Sequence, residues 1–205
     1  MRIGIVESLC TIRLPDLLRN FRQKYPEVEI IIKLGVCSDL RNMLRSNMVD
    51  LVFILDEQVY DPDLITSMSY KEPMVILASP EHKLVSKKKV TIRDIADEPL
   101  ILTEKGCSYR GVFEAMFHEV GLQPHLSLEV GSIETIKTFA MSNLGITLLP
   151  LMTVQKEMNQ MQLIALDWAG EEFKMMTQLL YHKNKWMTPA MKAFIAEVDF
   201  TTSLS

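Results

Sequence analysis

Ser8 and Ser108 each follow a short apolar run and precede a helical pattern, in two separate parts of the chain. The first backbone N–H groups of a helix lack intrahelical partners and the helix dipole is positive there, so such a turn attracts an anion. The two hydroxyls add donors, and Lys105 or Arg110 could add charge. In open α/β sheets, ligands collect beyond the carboxyl ends of the strands. Those positions are Glu7, Ser8 and Leu9, then Leu55 and Asp56, then Thr103, Glu104, Cys107 and Ser108, and lastly Gly131 and Ser132. The chemistry on offer is recognition of a carboxylate, phosphate or sulfur oxyanion. The same serines also suit helix capping, and Ser132 reads as a plain N-cap. Lys105 and Arg110 equally suit a solvated surface.

Catalytic signatures are missing. The chain has no GxSxG, HExxH, GxxxxGK or GxGxxG sequence. His82, His118, His125 and His182 fall in separate elements without metal-ligand spacing, so neither a metal nor a cofactor is expected. Cys107, beside a helix start, is the thiol expected to have a lowered pKa, although no base accompanies it. A buried or semi-exposed thiol is the plainer reading.

The elements that position these residues occur twice. IGIVES, a helix over residues 11–25, VEIIIKLG, a helix over 38–47 and DLVFIL form the first pass. LILTEKGCS, a helix over 109–121, HLSLEVG, a helix opening at Ser132 and LGITLLP form the second. Each reads strand, polar turn, helix, strand, helix, strand. Strands are expected over 28–34, 51–55, 64–70, 74–79, 162–166 and 173–181, with Thr188-Pro189 starting a last helix. Residues 201–205 read as a frayed tail.

Two similar halves imply an α/β chain of two Rossmann-like lobes joined by two crossover strands, with a ligand cleft between them. Lobe I takes residues 1–72 and 167–205, and lobe II takes 73–166. Lys71-Glu72-Pro73 marks the first crossing. Two crossings form a hinge that permits closure.

Composition narrows the function classes. A net charge of -4 lacks the basic surplus that phosphate backbones require, and Ser86-Lys87-Lys88-Lys89 holds the only basic run. This polypeptide by itself is not expected to grip DNA. No apolar run is long enough for a membrane span, and MRIGIVESLC lacks the stretch of a signal peptide. Three cysteines in different elements read as thiols in a reducing compartment, so a cytoplasmic location is expected.

The chain resembles the effector-binding domain of LysR-type transcriptional regulators. The matches run in order from Ile3 to Phe200: GIVES, LLRNFRQKYPEVEI, SDLRNML, VDLVFI, EPMVILASPEHKL, PLILTEKGCSYR, SIETIKTFAMSNLGITLLP and TPAMKAFIAEV. The resemblance implies a periplasmic-binding-protein-like (type 2) domain that takes a small-molecule effector between its lobes. It places effector contacts at Ser8, Leu9, Leu55, Thr103, Ser108, Gly131 and Ser132. Apolar Leu9 and Leu55 fill the usual anion set only in part, which leaves a more apolar or aromatic carboxylate open. It implies a homodimer or homotetramer, pairing the 11–25 helix with the 109–121 helix of a partner. DNA would be bound only through a winged helix-turn-helix that precedes this domain and is missing from the chain. The expected function is therefore a non-enzymatic sensor. A solute-binding protein of a transport system and an enzyme of the same architecture are the rivals.

Overall fold

A computed structural model describes residues 1–198. The tail expected over 201–205 lies outside the described residues. Strand β1 (Arg2–Ile5) leads into α1 (Glu7–Ile12) and α2 (Leu14–Lys24). Next come β2 (Ile31–Leu34), α3 (Cys37–Arg45), β3 (Leu51–Asp56) and β4 (Leu64–Lys71). They are followed by β5 (Met74–Ala78), α4 (Ile92–Ile95), β6 (Leu100–Leu102), α5 (Ser108–Glu119) and β7 (Leu126–Glu129). The remainder is α6 (Ile133–Met141), β8 (Thr147–Pro150), α7 (Gln155–Asn159), β9 (Ile164–Ala165), β10 (Met176–His182) and α8 (Pro189–Glu197).

The chain divides into two compact units. Unit 1 holds Met1–Lys71 and the chain from Lys174 onward, and unit 2 holds Glu72–Phe173. In unit 1 the sheet order is β2-β1-β3-β10-β4. β1 runs parallel to β2 and β3, whereas β10 is antiparallel to β3 and β4. β3 is buried from Leu51 to Leu55, the continuous apolar run of a strand covered on both faces. Leu40 and Leu44 of α3 cluster with Val52, Ile54 and Leu180. Phe21 of α2 meets Phe194 of α8 edge to face at 5.1 Å, with Phe53 at 6.2 Å from Phe194. Asp50, just before β3, accepts from the Arg2 N–H at 2.6 Å and from Lys185 Nζ at 2.5 Å. Burial alone would raise its pKa, but Arg2 and Lys185 outweigh burial and hold it far below the ordinary carboxylate range.

Unit 2 pairs β8, β5 and β9 antiparallel, and β6 with β7 parallel. The Ile101 N–H donates to the Ile146 carbonyl at 2.9 Å, and the Ile146 N–H to the Pro99 carbonyl at 2.8 Å. Those bonds join β6 to the segment that becomes β8, so unit 2 reads β7-β6-β8-β5-β9. This is the order of unit 1 again: three parallel strands, a fourth running against them, and a fifth parallel to the first three. Its core packs Ile133, Ile136 and Ala140 of α6 with Leu77, Ile101 and Leu149.

Several boundaries differ from expectation. The 11–25 helix is two helices, with the first starting at Glu7 and the break at Arg13. Pro15 has no N–H to give the Thr11 carbonyl, so the ladder lapses and a new first turn forms around it. The 28–34 strand shortens to β2, because Val28 donates back to the Tyr25 carbonyl (3.2 Å) and sheet pairing begins with Ile31 N–H to the Met1 carbonyl (2.9 Å). The 162–166 strand shrinks to β9 and the 173–181 strand becomes β10. The return to unit 1 falls after Phe173 rather than after Leu166. Residues 167–173 stay with unit 2, since Ala169 N–H bonds the Val90 carbonyl (2.8 Å) and Phe173 packs on Phe113 (6.0 Å) and Trp168 (6.0 Å).

Candidate functional site

In unit 1, β1 passes through extended Val6 directly into α1, whose first ladder bond is Cys10 N–H to the Val6 carbonyl at 3.0 Å. Ser8 therefore lies inside the first helical turn, not in a loop before it, and is only 3% exposed. It is not the N-cap, a position Val6 occupies. Leu9 (0% exposed) and Leu55 (1%) are buried, so they offer a ligand no side-chain surface. The Leu55 carbonyl already accepts the Cys37 thiol at 3.2 Å. Asp56, at the end of β3, is ion-paired with Arg41 and accepts the Glu57 N–H at 2.9 Å.

In unit 2, Thr103 follows β6 and is 8% exposed. Its hydroxyl is buried and makes no hydrogen bond of normal geometry, although the Cys107 thiol faces it. Cys107 is the N-cap residue of α5, and Gly111 N–H makes the first ladder bond to its carbonyl at 3.2 Å. Burial pushes the Cys107 thiol up from 9.0, and the Thr103 hydroxyl and the N–H groups of Arg110 and Tyr109 only partly offset it. The lowered pKa expected from the helix start is thus overturned by desolvation. None of the three cysteines is in a disulfide. Ser108, half-buried, opens α5.

Arg110 is not solvated. It is 3% exposed; its Nη1 donates to the Thr103 carbonyl (2.5 Å) and Glu129 (2.7 Å), and its Nε to Glu114 (2.7 Å). The guanidinium holds the Glu129 carboxyl below its usual range. Arg110 therefore clamps the first turn of α5 to the ends of β6 and β7, and exposed Lys105 is left as the cation near this turn. Ser132 holds the N-cap position of α6 with extended backbone, but its hydroxyl makes no capping bond. Gly131 is exposed, and a Cβ there would meet the Glu104 carboxylate at 3.7 Å, an ordinary contact.

The structure thus gathers Thr103, Cys107, Ser108 and Arg110 at one turn, and Gly131 beside Glu104. Two features escaped the sequence. The buried clamp of Arg110 had no local signal. Gln178, fully buried in β10, had one: a lone amide in the apolar run MTQLLYH. Two open grooves on unit 1, of about 380 Å³ beside Arg22 and Ile32 and about 400 Å³ beside Arg45 and Trp186, contain none of the candidate residues. Among the described residues no group of His, Cys, Asp or Glu is arranged to hold a metal ion, and no helix is long and apolar enough to cross a membrane.

Residues 1–200 match the family model described as LysR substrate binding domain. The uncharacterized HTH-type transcriptional regulator YwqM of Bacillus subtilis (strain 168) is 37% identical over 196 residues, 95% of this chain. The chain spans 66% of that relative's length. The regulatory domain of Synechocystis PCC6803 CcmR, solved in complex with 2-PG, superposes with a TM-score of 0.81 at 24% identity, covering 96% of this chain and 93% of that one. The effector binding domain of QuiR in complex with shikimate gives 0.78 at 19% identity, covering 96% and 93%. These neighbours share the periplasmic-binding-protein-like (type 2) fold.

Proposed function

We propose, from the premise that this chain belongs to the LysR substrate binding domain family, that it senses a small anionic metabolite for a transcriptional regulator. The observation that carries the reading is the turn after β6. There a buried Thr103 hydroxyl without a regular partner sits beside the start of the twelve-residue helix α5. A buried hydroxyl whose neighbour is only the weakly accepting Cys107 thiol is under-satisfied, and a ligand oxygen would relieve that cost. Solved neighbours bound to 2-PG and to shikimate support a small metabolite as the ligand class.

The effector acts by binding two conformations with different affinity, without chemical turnover, since no acid, base or nucleophile set accompanies the turns. DNA contact belongs to a helix-turn-helix of the kind named in the relatives, not to this domain of net charge -4. A cytoplasmic location follows from that role. Thermal-shift screening against small carboxylates, amino-acid precursors and oxyanions tests the reading, and a concentration-dependent rise in melting temperature is expected from one class. A hydrogen bond to a charged group contributes about 1.5–3 kcal/mol, so Ser108→Ala should weaken that ligand by roughly 10-fold or more with the fold intact. Unchanged affinity in this variant would remove the hydroxyl from the site.

The protein further associates as a homodimer or homotetramer, α2 pairing with α5 of a partner. Edge strands β2 and β7 are the ends of their sheets, where Ile31 (42%), Leu34 (59%) and Leu126 (38%) remain exposed, and Val120 (37%) is exposed at the end of α5. Sedimentation velocity should show a dimer that Leu34→Lys with Val120→Lys converts to monomer. A wild-type monomer at high micromolar concentration would exclude this pairing.

A further inference from the structure

The amide of Gln178 is 0% exposed in the middle of β10, with β3 on one side and β4 on the other. Its Oε1 accepts from the Val59 N–H (2.9 Å) and from Gln58 Nε2 (3.0 Å). Its Nε2 donates to the Glu57 carbonyl at 2.9 Å, with the Asp56 carbonyl at 3.5 Å. Gln58 Oε1 in turn accepts the Ser69 hydroxyl of β4 at 3.0 Å. An apolar side chain would fill this position without a desolvation cost, as Leu179 and Leu180 do next to it. The amide instead directs every bond it makes to residues 56–59, the loop at the carboxyl end of β3.

The two strands tied to this loop have a second property in common. β4 ends at Lys71, where the chain leaves unit 1, and β10 begins two residues after the chain re-enters it at Lys174. Ser69 and Gln178 thus lie on the outgoing and the incoming strand, close to both passages. A shift of either strand must break these bonds or carry the loop along, because buried amide and carbonyl groups tolerate no unpaired state cheaply.

We infer that Gln178 is a positioning residue that couples the loop 56–59 to both strands carrying the chain between the units, through the relay Ser69–Gln58–Gln178–Val59. The loop then reports strand geometry, and a change at the loop is felt at both passages, since such coupling is reciprocal. Its regulatory meaning rests on the effector-sensing reading above, where the loop is one of the strand-end positions.

Amide hydrogen exchange on the whole chain tests the relay without any ligand. Losing one buried hydrogen bond corresponds to about a tenfold change in local opening. Gln178→Met should therefore speed Val59 exchange by roughly tenfold while the amides of β1 stay unchanged. Ser69→Ala does not touch Val59, yet should speed its exchange by about threefold, and this variant keeps the test open if Gln178→Met fails to fold. Wild-type exchange at Val59 in either Gln178→Met or Ser69→Ala overturns the relay. A silent effector screen would instead overturn the sensing role and leave this result standing.

Discussion

Gly145→Ala should destabilise the protein by about 3–5 kcal/mol, from overpacking against backbone and the loss of sheet hydrogen bonds together. A Cβ at Gly145 would stand 2.4 Å from the Pro99 carbonyl oxygen and 3.0 Å from its carbon. Backbone cannot rotate aside as a side-chain tip can. That same Pro99 oxygen accepts the Ile146 N–H, and Ile146 accepts from Ile101. Relief of the clash therefore pulls apart the seam that joins β6 and β7 to the rest of the unit 2 sheet. Gly111→Ala is the internal control. Nothing lies within 4 Å of a Cβ there, and the residue is exposed inside α5, so the gain in helix propensity should stabilise by about 0.8–1 kcal/mol. In urea, with a slope of about 1–3 kcal/mol per molar, Gly145→Ala should lower the midpoint by roughly 2 M and Gly111→Ala should raise it slightly. A Gly145→Ala midpoint equal to wild type would mean that the seam carries no load.

Gly145 also shows what was legible beforehand. The segment LGITLLP repeats the role of DLVFIL, and apolar runs of that length bounded by polar turns are strong signals of buried strands. The doubled strand order of the two units follows from that repetition. Helix starts were less legible. Glu7 begins α1 because Val6 is already extended and the chain turns at once, whereas sequence alone gave the turn more length. At the candidate site the positions could be read, but the surroundings could not. Leu9 and Leu55 are apolar in any reading, yet only packing shows that they are buried. For Cys107, the sequence offers both a helix start that favours thiolate and a plain buried thiol, without deciding between them. Its burial, the stronger effect, depends on the residues packed around it. The partners of Arg110 and Gln178 were hidden for a common reason, although the lone amide of Gln178 in an apolar run left a local trace. A polar residue on a helix or strand points to solvent by default, and its buried partners come from strands distant in sequence.

Lys137→Met is the second large effect, and it arises from that same kind of hidden residue. Lys137 of α6 is 6% exposed and spends its three donors on Glu157 (3.0 Å), the Thr153 carbonyl (3.1 Å) and Glu134 (2.6 Å). Glu157 of α7 is itself 8% exposed, with Oε2 buried and unpartnered, so Lys137 is the cation that compensates it. Burial alone would lower the Lys137 pKa, but Glu134 and Glu157 outweigh burial and raise it above 10.5. Removing the ammonium strands a buried carboxylate, for which about 3–5 kcal/mol of destabilisation is expected. Replacing both members by apolar groups removes the stranded charge, so Lys137→Met with Glu157→Leu should be more stable than Lys137→Met alone. The pH dependence has a definite sign. A folded pKa raised above the unfolded one contributes stability that is complete below 10.5 and is lost as pH rises through the folded value. The gap between wild type and Lys137→Met should therefore be full near neutral pH and narrow in strong alkali, where the wild-type ammonium is lost. A double variant no more stable than the single one, in urea denaturation at neutral pH, would show that Lys137 acts by packing its methylene stem rather than by compensating Glu157.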